Sequence, residues 1–236
     1  MRFHRFSFES GGQAHEISTY RVNGPRGGGD PVRVGIFAGI HGDEPAGVLA
    51  AVDLVQRLVA DPDLALGYEI WMTPLCNPTG YDLGTRASAS GVDLNREFWK
   101  GSAEPEVQYL EGLLRRLRFD GIISLHSDDT CDGLYGFASG ATLSRDILDP
   151  ALGEASERIP RDTRPLIDSF PAEGSIITDT YPGVLSAPPE ASPRPFEIVF
   201  ETPHAAPLGL QVQATSIAVS RILREYRSYI GQAINL

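Results

Sequence analysis

The chain has 236 residues and a formal net charge of −11, which argues against a nucleic-acid partner or an anionic membrane surface. No apolar run is long enough to span a bilayer, and the start, Met1-Arg2-Phe3-His4-Arg5-Phe6, lacks an apolar signal core. With two cysteines, Cys76 and Cys131, a cytoplasmic protein with reduced, buried thiols is expected.

Residues 3–8 and 15–22 alternate loosely and read as early, partly exposed strands. Gly24 to Asp30, rich in glycine, is a turn. The apolar run Val32 to Ile40 reads as a buried strand. Pro45 to Ala60 reads as a helix with Val48, Val52, Val55 and Val59 on its packed face and Asp43 as its N-cap. Between strand and helix lies Gly39-Ile40-His41-Gly42-Asp43-Glu44. In open α/β sheets ligands bind beyond the carboxyl ends of strands, so His41 and Glu44 can turn toward one point.

Tyr68 to Cys76 is a second core strand, followed by the turn signature Asn77-Pro78-Thr79-Gly80. An aperiodic stretch then runs to Phe98, a length that suggests function. It carries Arg86, Asp93, Asn95 and Arg96. Glu104 to Arg118 is an amphipathic helix with Val107, Leu110, Leu114 and Leu117 on one face. Its Arg115-Arg116-Arg118 cluster reads as a solvated carboxyl end. Gly121 to Leu125 is a core strand with His126 at its end. Residues 141–160 hold a modest helix, 160–195 are irregular and site-covering, and Phe196 to Glu201 is a late strand. A last helix from Gly209 carries the stripe Val219, Ile222, Leu223, Tyr226, Ile230 and Ala233. Strands alternating with helices imply an α/β fold: a single domain, residues 1–236, with a mixed, mostly parallel sheet flanked by helices on both faces and residues 1–30 as peripheral strands and turn.

His41, Glu44 and His126 supply two imidazoles and a carboxylate, which suit one catalytic zinc ion with an open fourth position. Glu201 is the candidate proton carrier, with Glu197 as its rival on the same strand face. Arg86, Asn95 and Arg96 can grip a carboxylate or stabilise an oxyanion. Asp93 can fix the tautomer of a metal-bound histidine. Asp128 and Asp129 read as solvent-facing, and His204 as a structural histidine. His4 and His15 have no evident partners.

The set His41-Gly42-Asp43-Glu44, Arg86, Gly91-Val92-Asp93-Leu94-Asn95-Arg96, Leu125-His126-Ser127 and Phe200-Glu201 resembles the zinc carboxypeptidases of the carboxypeptidase A type. Asn77-Pro78-Thr79-Gly80 and the segment Arg86 to Gly91 resemble the small murein peptide amidase branch. The compact length resembles the succinylglutamate desuccinylase/aspartoacylase branch. The resemblance implies that His41, Glu44 and His126 bind zinc and that Asp93 orients His41. It further implies that Arg86 polarises the scissile carbonyl, Asn95 and Arg96 hold a terminal carboxylate, and Glu201 is general base and then acid. The implied substrate is a small peptide or an acyl amino acid. Such peptidases carry a mobile tyrosine near a Gly-Ser turn; Gly174-Ser175 fits the turn, Phe170 and Pro171 precede it, and Tyr181 is the available substitute.

Overall fold

A computed structural model describes residues 2–234. They divide into two compact units, one running to His126 and including Tyr181–Glu197, the other comprising Ser127–Thr180 and the chain from Ile198. The expected α/β class is observed in a mixed arrangement of strands and helices.

In the first unit, β1 (Arg2–Ser10) and β2 (Gln13–Asn23) form a hairpin longer than the alternation suggested. β3 (Val32–Ala38) lies between β4 (Tyr68–Thr73) and β5 (Gly121–Asp128), parallel to both, and β2 adds antiparallel to β4. The order is thus β1-β2-β4-β3-β5, parallel at its centre and antiparallel at the edge formed by the early strands. Every residue of β4 is buried, as expected for a strand covered on both faces. β4 ends three residues before Cys76, at Thr73, because Pro74 cannot donate to a ladder. β5 continues two residues past His126.

α1 (Pro45–Ala60) has the expected limits, but its inner face differs. Val48 and Val55 are buried as expected, but Val52 and Val59 are exposed, and Gly47, Ala51, Leu54 and Leu58 complete the buried stripe. The packed stripe is displaced because small residues let the helix approach β5: a Cβ on Gly47 would stand 3.1 Å from that of Leu125. The N-cap position is Glu44, not Asp43, and its side chain makes no cap hydrogen bond. On the opposite face of the strands, Val107, Leu110, Leu113 and Leu114 of α3 (Pro105–Leu117) pack with Phe37, Trp71, Phe119 and Ile122.

Asn77-Pro78-Thr79-Gly80 is a helix start and not a simple turn. Asn77 Oδ1 accepts the Gly80 N–H at 2.8 Å and caps α2 (Pro78–Leu83). Arg115 does more than face water: its guanidinium lies 4.8 Å from the Trp99 ring centroid and pairs with Glu190 at 3.1 Å. His4 stacks on Trp71 and His15 meets Asp82 at 3.4 Å, so both histidines have partners. No described helix is long and apolar enough to cross a membrane.

The second unit contains β6 (Tyr135–Ala138), α4 (Asp149–Ala155) after a π-turn at Leu143–Leu148, and the short strands β7 (Leu166–Ile167), β8 (Phe170–Pro171) and β9 (Ile176–Ile177). β10 (Phe196–Pro203) pairs antiparallel with β6, Glu201 opposite Tyr135. In α5 (Leu208–Ile234), Val219, Ile222 and Leu223 are buried as expected; the side chain of Ala233 lies outside the described ones. Asp128 is not simply solvated: it accepts from the Thr130 hydroxyl at 2.8 Å and the Tyr135 hydroxyl at 2.9 Å. His204 is exposed, and its backbone makes the contacts, donating to Asp128 O at 2.8 Å. Both cysteines are buried free thiols, and burial pushes their ionisation upward.

Candidate metal centre

The chain leaves β3 through Gly39, whose φ is +61°. A side chain there would meet Val48 Cγ2 at 2.7 Å as well as strain the backbone. The next turn passes under α2: a Cβ on Gly42 would stand 2.0 Å from the Gly80 carbonyl carbon, so only glycine allows the two backbones to touch. This pins His41 between β3 and α1. Glu44 follows at the helix entrance, and His126 comes from the neighbouring strand β5.

His41, Glu44 and His126 are each 3–4% exposed, and one ligand atom from each lies within 4.8 Å of the others. Glu44 divides its carboxylate: Oε1 is 2.5 Å from His41 Nδ1 and Oε2 is 2.9 Å from His126 Nδ1. The imidazole centroids are 5.0 Å apart. His41 Nε2 faces Asp93 Oδ1 at 3.2 Å, and Arg86 Nη1 is 3.2 Å from His41 Nδ1. A guanidinium can only donate, so Nδ1 offers its lone pair and Nε2 carries the hydrogen toward Asp93. That lone pair also faces a carboxylate oxygen. Arg86 is the cation beside these two acceptors, and two imidazoles with a carboxylate are the donor set that suits one divalent ion. The residues therefore fit the metal that their pattern implied.

The charges agree. Burial disfavours ionised Glu44, but the charge and hydrogen bond of His126 and those of His41 outweigh it and hold the carboxyl well below its ordinary range. Asp93 is likewise held low: against burial stand the hydrogen bond and charge of His41 and the charges of Arg86 and Arg96. Burial pulls His41 down, yet its bonds to Asp93 and Glu44 raise it overall. His126, more deeply enclosed, is driven down by burial. A neutral imidazole is the ligating form.

Arg86 Nε donates to Asp93 Oδ2 at 3.1 Å, and its Nη1 stands 3.6 Å from Glu44 Oε1. Asn95 is buried, and its Oδ1 accepts the Leu185 N–H at 2.8 Å, which leaves its amide hydrogens to donate. Arg96 donates to Asn95 O at 2.8 Å, and its guanidinium lies 4.4 Å from the Tyr181 ring centroid. Glu197 accepts the Ala187 N–H at 2.7 Å and pairs with Arg194, which gives this rival carboxylate a structural task. Glu201 is a buried carboxylate of the second unit. Sequence reasoning passed over Asn77, whose Nδ2 lies 3.2 Å from Ile40 O and 3.5 Å from Arg86 O and so ties the histidine loop to the arginine loop.

Fold and donor set together define an α/β chain with a buried His–Glu–His cluster, and its fold is shared with solved metallo-carboxypeptidases. A candidate metallopeptidase from Shewanella amazonensis SB2B superposes with a TM-score of 0.76 at 23% identity, over 93% of this chain and 86% of that one. A metallo-carboxypeptidase from Burkholderia cenocepacia gives 0.70 at 17% identity, over 92% and 62%. More particularly, residues 31–141 match the succinylglutamate desuccinylase/aspartoacylase catalytic domain, a span that includes His41, Glu44, Arg86, Asp93, Asn95, Arg96 and His126. Murein peptide amidase A of Escherichia coli K12 is 32% identical over 41% of this chain and 49% of its own. The match thus spans about half the length of that relative.

Proposed function

We propose that the chain is a zinc-dependent hydrolase that cleaves an amide bond beside a free carboxylate, acting as one catalytic domain in the cytoplasm on a small peptide. The observation that carries this reading is the pair of imidazole nitrogens turned onto the two oxygens of Glu44, with Arg86 and Asp93 alongside. His41 Nδ1, Glu44 and His126 Nδ1 would hold the ion. When bound, zinc supplies Lewis acidity, polarising a carbonyl oxygen and making water a competent nucleophile near neutral pH. Asp93 keeps the hydrogen of His41 on Nε2 and so keeps Nδ1 available. Arg86 is anchored to Asp93 through Nε; its Nη donors, freed from His41 Nδ1 when that nitrogen holds the ion, are assigned to the carbonyl oxygen as charge develops there. The amide of Asn95 and the guanidinium of Arg96 receive the substrate carboxylate, with the Tyr181 ring 4.4 Å from the Arg96 guanidinium as its support. Glu201 takes the proton from water and returns it to the leaving nitrogen.

The match to the succinylglutamate desuccinylase/aspartoacylase domain favours a second reading, an N-acyl amino acid deacylase with the same chemistry. Hydrolysis of a γ-glutamyl-diaminopimelate peptide is compared with that of an acyl amino acid on zinc-loaded protein, with a chelator control. Preference for the first supports the amidase reading, and preference for the second the deacylase reading. Glu201→Gln should abolish turnover and spare zinc content; retained turnover rejects the role given to Glu201.

A further inference from the structure

Glu106 sits in the first turn of α3 and is 1% exposed. Its Oε1 is 3.0 Å from Thr79 Oγ1. The same hydroxyl lies 3.0 Å from Asn77 Oδ1 and accepts the Ala89 N–H at 3.1 Å. The orientation of the Asn77 amide is fixed by its other partners: Oδ1 accepts from Gly80 N, and Nδ2 faces the carbonyls of Ile40 and Arg86. Asn77 Oδ1 therefore has no hydrogen to give. A threonine hydroxyl has one hydrogen, yet two oxygens face Thr79 Oγ1 at 3.0 Å, so one of the two contacts takes its hydrogen from elsewhere or is a bare oxygen pair. If its hydrogen goes to Asn77, a hydrogen in the other contact must come from Glu106.

We propose that Glu106 is a neutral carboxylic acid in the folded protein and donates to Thr79 Oγ1. Through Thr79 and Asn77 it is the positioning residue for the loops that carry His41 and Arg86. The chain of contacts runs from α3 to Asn77, and from there to Ile40 O, one residue before His41, and to Arg86 O. The charged groups around Glu106 are Glu104 of the same helix entrance and His15 of β2, itself paired with Asp82 of α2. Glu104 is occupied by the hydroxyls of Ser88 and Ser90. Burial, with the charge of Glu104 in support, raises the Glu106 carboxyl against its own backbone N–H, Thr79 and His15. The inference rests on the proposed function only in naming what His41 and Arg86 do; the protonation of Glu106 is independent of it.

Zinc-loaded wild type and Glu106→Gln are unfolded in urea from pH 5 to pH 8. An acid whose folded pKa is raised stabilises fully below the unfolded value, and that stability is lost as pH rises through the folded value. The wild-type unfolding constant should therefore rise, relative to Glu106→Gln, about tenfold per pH unit above roughly 4.3 until Glu106 ionises in the folded state. Parallel profiles, or a wild type that gains on the variant as pH rises, overturn the proposal. Infrared spectra of wild type labelled with 13C-glutamate need no Glu106 variant: a protonated side-chain band at pH 7, shifted by Thr79→Val, is expected, and its absence contradicts the proposal. For positioning, zinc affinity by chelator competition should fall about tenfold in Thr79→Val and be kept in Glu106→Gln, whose amide still donates. Undiminished affinity in Thr79→Val ends the positioning role. Loss of hydrolysis on every substrate, with these results intact, would instead reject the proposed function.

Discussion

Glu44 shows how one side chain decides the character of the site. It stands at the N-cap of α1, where a carboxylate usually accepts a backbone N–H, yet it gives both oxygens to imidazoles. Asp93 completes the arrangement from outside by accepting from His41 Nε2. Replacing Asp93 with Asn removes the charge that supports the ligating tautomer, and zinc affinity should fall about tenfold or more in a chelator competition; unchanged affinity would show that Asp93 does not orient His41. The cluster proposed to hold the metal was legible as a candidate because His41 and Glu44 are three apart at a strand end and His126 follows an apolar run. Asn77 and Glu106 were not, because an Asn-Pro-Thr-Gly segment reads equally as a turn, and a glutamate in a first helical turn gives no sign of being buried.

At the level of elements, most limits followed from proline, glycine and apolar periodicity. The face of α1 did not, because valine at regular spacing outweighed small residues whose value is close approach. Leu58 is buried and Val59 exposed. Leu58→Ala should cost about 2–5 kcal/mol and Val59→Ala within about 0.5 kcal/mol in urea unfolding; equal costs would contradict the assigned face. In β4, buried Glu69 accepts from Arg21, Arg33 and Trp71 at 2.5, 2.6 and 2.8 Å. Burial opposes its ionisation, but these bonds hold its carboxyl below the ordinary value. The stability it adds is present above the unfolded glutamate value of about 4.3 and is lost as pH falls through the lower folded value. Glu69→Gln should therefore cost about 2 kcal/mol at pH 7, with the difference shrinking in acid below pH ~4; a difference that grows in acid would reverse the assignment.

For the whole molecule, the α/β class was readable from alternating strands and helices, and the edge hairpin from its looser pattern. The division into two compact units was not, since no linker-like break marks it: the chain passes from one to the other within β5 and again within β10. The family match covers the part that carries the proposed metal ligands and arginines and stops before Glu201. In the proposed function His41, Glu44 and His126 hold one zinc ion. Titration of metal-free protein with zinc against a competing chelator tests it most directly. One equivalent bound per chain is expected, with affinity weakened roughly a hundredfold or more by His126→Ala; a wild type that binds no zinc, or a His126→Ala variant that binds it as tightly, would rule out this site.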